Sequence, residues 1–197
     1  MRKPRKSSYH HGNLRTALLD AALELIREQG VGAISLREVA RRAGVSHAAP
    51  AHHFGDKAGL LTALAAEGFE RFSAALQAGA QRGGDDAMKR FAWVGWAYVM
   101  FAAEHRAYFE VMFRPELFRR EDPELVRASR GTYENLLASV RAAFGPQLSA
   151  AELEVHAMRA WSEVHGLATL WLYGNLENKP MLPSSLDLLT RKMLGLA

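Results

Sequence analysis

The 197-residue chain contains no cysteine. That excludes a disulfide framework, a thiolate metal site and a cysteine nucleophile, and it fits a reducing cytoplasm. Long hydrophobic runs are missing too. The longest, Phe91 to Ala103, falls well short of the ~20 residues that cross a bilayer, so no membrane partner is expected. The basic N-terminus, MRKPRKSSYHHGNLR, is followed by no apolar h-region and does not read as a secretory signal. Nowhere does the chain show strand alternation or an internal repeat. G-x-S-x-G, H-E-x-x-H and phosphate-loop motifs are all absent, so the expectation is a non-enzyme with no cofactor.

With 49% hydrophobic and 23% charged residues the composition is globular. A net charge of +4 is unevenly spread. Up to Lys57, ten Lys and Arg stand against five Asp and Glu, while beyond it fifteen stand against sixteen. The positive excess therefore lies in the first third, as expected of an end that meets a polyanion. A solvated basic tail accounts equally well for the outermost part of it.

Helical periodicity runs nearly throughout. Leu14, Ala17, Leu18, Ala21, Ala22, Leu25 and Ile26 form an amphipathic stripe that Asn13 can cap and Gly30 can end. Ser35 to Glu38 reads as a capping box for a two-turn helix stopped at Gly44. Ser46 can cap a third helix and Asp56 a fourth. Gly83 to Asp86 breaks the pattern before the nearly all-apolar FAWVGWAYVMFAA. A short piece, HRAYFEVMF, precedes Pro115. Asp122-Pro123 starts a helix that stops at Gly145, and a capping box at Ser149 to Glu152 opens a long helix to Gly174. Leu186, Leu189 and Met193 make a final stripe. The expected fold is all-α: a basic arm over 1–12, a three-helix unit over 13–65 and a larger helical bundle over 66–197, about nine helices in all.

Between two ordinary core helices lies GVSHAAPAHHFGDK, with three histidines and few large apolar side chains. Two short helices joined by a tight turn at Gly44 make a helix-turn-helix. In that motif the second helix enters the DNA major groove. Here it is expected at about His47 to His53, where Ala48, Ala49 and Ala51 let the backbone come close. Val45 and Phe54 pin its ends, and Pro50 sits where a missing N–H costs nothing. His47, His52 and His53 can bond bases or phosphates. A zinc site from these histidines is disfavoured, because His52 and His53 leave different sides of a helix and carboxylate ligands are scarce.

The stretch ISLREVARRAGVSHAAPAHHFGDKAGLL, with NLRTALLDAALELIREQG before it, resembles the N-terminal domain of the TetR family of bacterial transcriptional regulators. The resemblance covers roughly the first third of the chain. It implies a dimer that reads a palindromic operator and a C-terminal domain that binds a small-molecule effector. By position it assigns DNA contacts to Ser35, Arg37, Val45, Ser46, His47, Ala48, Ala49, Ala51, His52, His53 and Lys57, with Ser46 and Lys57 on phosphate. Ala51 stands where the family often has a tyrosine. Arg2, Lys3, Arg5 and Lys6 can reach the duplex as an arm.

AWSEVHGLATLWLYG, residues 160 to 174, is similar to the WHG-type C-terminal domain of the same family through Trp161, His165 and Gly166. The resemblance implies a dimer formed by the last two helices. Among the aromatic and methionine side chains, Trp96, Met100, Tyr108, Trp161 and His165 are the candidates for an effector pocket, each with packing in the core as its simpler role. The favoured reading is a repressor released by a largely apolar effector. The alternative is a DNA-binding regulator with no small-molecule effector.

Overall fold

The computed structural model describes residues 11–176, 179, 182, 183 and 185–196. Among these residues every regular element is helical: α1 (His11–Gln29), a 3₁₀ turn (Val31–Ala33), α2 (Leu36–Arg42), α3 (Ala48–Phe54), α4 (Lys57–Gln81), α5 (Ala87–Glu104), α6 (Arg106–Met112), α7 (Pro123–Phe144), α8 (Ala150–Leu172) and α9 (Leu186–Met193).

Local chemistry explains most of the boundaries. The Asp56 carboxylate accepts the Gly59 N–H at 2.8 Å and starts α4. Asp122 accepts from Glu124 and Leu125 N–H and starts α7, with Pro123 in the first position. Ser149 and Glu152 complete the reciprocal box that starts α8. Gly30, at φ 78°, ends α1 in the left-handed region that side chains avoid.

Four boundary expectations need correction. α1 is already helical at His11, so Asn13 lies inside it rather than capping it. Only half of the box at α2 forms. Ser35 Oγ accepts the Glu38 N–H at 3.3 Å, but the Glu38 carboxylate turns to the Arg41 guanidinium, a charged partner that outcompetes a backbone amide. At α3 the capping residue is His47, and no side chain caps. Ser46 contributes its carbonyl instead, accepting the Ala49 N–H at 3.0 Å. α8 ends at Leu172, two residues before Gly174.

α1 and α3 pack on the first turns of α4, and α2 packs on α1 and α3; Leu18, Leu25, Val39, Leu60, Leu61 and Leu64 of this unit are all essentially without exposure. Arg42 of α2 reaches back to Glu28 at 2.6 Å and Glu24 at 3.3 Å on α1. α4 continues past this unit without a break and lies against α5, α6 and α7. α8 lies on α5 and α7, and α9 on α5. One buried cluster runs from Leu18 in α1 to Leu189 in α9.

The α3–α4 turn is tight enough to demand glycine. A Cβ on Gly59 would lie 1.9 Å from the Phe54 carbonyl oxygen, a backbone atom that cannot swing aside. Gly59→Ala is expected to cost about 1–3 kcal/mol, as overpacking does, and to displace α3. Thermal unfolding followed by circular dichroism measures it, and an unchanged midpoint would contradict it.

Candidate nucleic-acid interface and cavity

α3 is anchored by one side and bare on the other. Pro50 and Phe54 are buried, Ala49 and His53 half-buried, and Ala48, Ala51 and His52 exposed. His47 and Ser46, just before it, are exposed as well. The burial follows the helical period: residues 50 and 54 share the inner face, and small or polar residues take the outer one. The His52 and His53 rings meet edge to face with centroids 5.8 Å apart. Among the described residues no group of three or more His, Asp or Glu is placed to hold a metal.

The other predicted contact residues surround this face unevenly. Ser35 and Arg37 are exposed at the start of α2. Arg41 and Arg42 are held by Glu38, Glu28 and Glu24, whereas Arg37 makes no ion pair with a described residue. Val45 is half-buried and packs on the core. The half-buried Lys57 donates from Nζ to the Gly32 carbonyl at 3.1 Å, which draws its charge to the start of α4. Arg2, Lys3, Arg5 and Lys6 lie outside the described residues.

The C-terminal helices enclose a cavity of about 1120 Å³ between α4, α5, α7 and α8. Its walls include Phe69, Phe72, Leu76, Val94, Phe113, Leu136 and Val164. α7 turns Ser129, Thr132 and Ser139 toward it, yet each hydroxyl donates to a carbonyl of its own helix, at 3.3, 3.0 and 2.9 Å. Those groups therefore add little free polarity. The charged lining residues Asp85, Arg90 and Glu163 are exposed, at the rim.

One polar constellation stands in the wall. Tyr98 of α5 lies with its hydroxyl 2.7 Å from His165 Nδ1 of α8. Trp161, one turn before His165, donates from Nε1 to the same hydroxyl at 3.1 Å. The His165 ring stacks on Phe109 at 5.4 Å and meets the edge of Phe113 at 4.9 Å. Burial lowers the His165 pKa and raises that of Tyr98, so both are neutral at pH 7.

Of the five pocket candidates, the cavity brings together Trp161 and His165 and leaves out the rest. Trp96 and Met100 are each two residues from Tyr98 and so lie roughly 160° around α5 from it. Trp96 donates instead to Asp187 of α9 at 2.7 Å, under the Arg82 guanidinium. Met100 packs in the core, and the buried Tyr108 donates to Glu67 at 2.8 Å. Phe91, Val94, Gly95 and Tyr98 form the cavity face of α5. Their i, i+3, i+4, i+7 spacing was a signal for Tyr98 that the all-apolar run around it obscured.

Arg119, unmarked in the sequence, joins the two ends of the molecule. Phe113 and Pro115 line the cavity, and the same segment then carries Arg119 to the α3–α4 turn. There its guanidinium meets the Asp56 carboxylate at 2.9 Å, and its backbone N–H donates to the buried Thr62 hydroxyl at 3.0 Å.

Comparison with known proteins decides the family. Residues 18–64 match the family model described as bacterial regulatory proteins, tetR family. Residues 91–195, just over half of the chain, match the tetracycline repressor-like C-terminal domain. The chain belongs to the TetR family. Trp161, His165 and Gly166 lie within the second match. A solved protein of unknown function from Rhodococcus sp. RHA1 is 34% identical, covers 97% of this chain and 96% of its own, and superposes with a TM-score of 0.80. FadR from Bacillus subtilis, solved in complex with stearoyl-CoA, shares the fold at 17% identity and a TM-score of 0.69, with 92% and 96% of the two chains covered. HTH-type transcriptional regulator BetI of Rhizobium meliloti (strain 1021) is 53% identical over 49 residues, 25% of this chain. The chain spans about a quarter of the length of the curated relatives it matches. The family is one of bacterial regulatory proteins. No described helix is long and apolar enough to cross a membrane.

The lowered His165 pKa has a consequence for stability. The unfolded chain takes up its proton near pH 6.5, while the folded chain takes it up only at lower pH. Below about 6.5 the unfolded state therefore binds more protons and stability falls as pH falls. Denaturant midpoints from pH 7.5 down to about 5 should decline more in the wild type than in His165→Phe. Parallel declines would contradict the assignment.

Proposed function

We propose that this TetR-family chain is a cytoplasmic repressor that binds a palindromic operator as a dimer and is released by a small, largely apolar effector. The observation that carries the reading is the connection of the cavity to the DNA-reading unit through a single helix. The wall residues Phe69, Phe72 and Leu76 and the capped turn at Asp56 belong to the same α4. An effector that alters the wall acts on that helix directly. It must bind the DNA-incompetent arrangement better, since only differential affinity moves such an equilibrium.

In this reading α3 enters the major groove. His47, Ala48, Ala49, Ala51, His52 and His53 face the duplex with Val45 at the turn, Ser46 and Lys57 meet phosphates, and Ser35 and Arg37 add contacts from α2. The N-terminal arm, residues 1–12, adds positive charge, and residues 13–65 and 66–197 are the DNA-binding and effector-binding units.

The dimer surface is read from α8. Val155, Met158, Leu170 and Tyr173 are large and about half exposed, and with Ser162 and Gly166 they fall on one stripe facing away from the cavity. A Cβ on Gly166 would meet nothing within 4 Å of its own chain. Close approach of a second copy gives that glycine a reason, because inside a helix it costs ~1 kcal/mol relative to alanine. Leu188 adds apolar exposure on α9.

Three outcomes follow. Met158→Glu is expected to yield a folded monomer by analytical ultracentrifugation, with operator affinity greatly reduced; a persisting dimer removes α8 from the interface. His52→Ala should weaken operator binding by about 1 kcal/mol, one hydrogen bond, while Ala51→Tyr should tighten binding to unrelated sequences alike, because phosphate contacts position without specifying. Fluorescence anisotropy on labelled duplexes reads both, and two unchanged affinities would place the interface elsewhere. The low-molecular-weight organic extract of the source cells should lower operator affinity. No release by any fraction would favour a regulator without a small-molecule effector.

A further inference from the structure

From the Tyr98, His165 and Trp161 constellation we infer that the effector presents an uncharged hydrogen-bond acceptor, a ketone, ester or amide carbonyl, to Nε2–H of His165. This rests on the reading of the cavity as an effector site.

The inference follows from counting protons. Trp161 Nε1–H can only donate, so the Tyr98 oxygen accepts there. The Tyr98 proton then needs an acceptor of its own. His165 Nδ1, at 2.7 Å, is its hydrogen-bonded neighbour. Were Nδ1 to carry the imidazole proton, Tyr98 would accept twice and leave its own buried proton unused, which buried donors rarely do. The satisfied arrangement puts the lone pair of Nδ1 toward Tyr98 and the proton on Nε2.

Nε2 has no hydrogen-bond partner among the described residues and is open to water. The remainder of the ring is occupied by Phe109 and Phe113. His165 lines the cavity, and in this reading its open donor faces it. On α7 the Ser129, Thr132 and Ser139 hydroxyls are spent on their own helix and that of Tyr133 on Glu154, and the charged lining residues stay at the rim. A carboxylate here would lose its hydration for one neutral donor. An ammonium would find a donor where it needs an acceptor. A neutral carbonyl loses little and completes the imidazole.

Four naphthalenes substituted at the same ring position serve as probes: the acetyl, ethyl, carboxylate and aminomethyl compounds. Binding to the full chain is read by quenching of tryptophan fluorescence and by calorimetry. The ketone should bind better than the two ions, and His165→Phe should cost the ketone about tenfold, the size of one well-made hydrogen bond, while the hydrocarbon stays within about twofold. Equal losses for ketone and hydrocarbon, or tightest binding by either ion, would overturn the acceptor while leaving an apolar site. Failure of all four on protein that still binds operator would overturn the site itself. A second measurement needs neither ligand nor folding of that variant. Nitrogen NMR of histidine-labelled wild type should show the imidazole that Tyr98→Phe perturbs protonated at Nε2. Protonation at Nδ1 would overturn the inference outright.

Discussion

One unbroken helix governs this structure. α4 runs 25 residues, about 37 Å at the usual rise. Its first turns are the hydrophobic floor of the DNA-reading unit, with Leu60, Leu61 and Leu64 fully buried there. Farther along the same helix, Phe72 meets Tyr98 at 4.9 Å and Phe101 at 5.0 Å and forms cavity wall. α4 carries no proline to kink it, and in the proposed reading a shift at one end is felt at the other. Arg119 adds a second connection, from Phe113 and Pro115 in the wall to Asp56 at the capped start of α4. The ion pair is exposed and by itself worth little. Its accompanying backbone bond to buried Thr62 is what holds the segment in register.

Burial and polarity are divided so that each end of α4 does one kind of chemistry. On α3 the large apolar groups face inward, and the outer face is left to alanines and histidines that lose little by meeting a wet, charged duplex. In the cavity the opposite holds. The Ser129, Thr132 and Ser139 hydroxyls that line it are satisfied by their own helix, and His165 is held by its bond to Tyr98. In the proposed reading, His165, preorganised in this way, discriminates between ligands by what it leaves unpaired, since an unmet buried donor costs more than a met one gains.

The sequence made the local features legible. Asp56, Asp122-Pro123 and Ser149 to Glu152 mark helix starts through chemistry that acts within four residues, and all three operate as expected. The helix-turn-helix was readable for a related reason: a segment too poor in large apolar groups to be core, set between two helices that are core. Features settled by tertiary contact were less legible. α5 is apolar all round, so its periodicity could not say which side meets α8, and Trp96 and Met100 turned away while Tyr98 turned in. Glu38 chose Arg41 over a backbone amide, a competition that spacing alone does not rank. The outward stripe of α8 runs through Val155, Met158 and Leu170 because the opposite face, with Leu167 also buried, is consumed by the core. Arg119 sits in an irregular segment where no periodicity points to Asp56, 63 residues earlier.

The account stands on a symmetric pair of α3 helices reading DNA. Selection of bound duplexes from a random-sequence pool by the purified chain tests that most directly, with no operator or effector assumed. It predicts enrichment of an inverted repeat whose half-site centres lie about one helical turn apart, or a multiple of it, and loss of that enrichment in the His47→Ala, His52→Ala double variant. An unenriched pool, a single asymmetric site, or the same repeat selected by the double variant would contradict it.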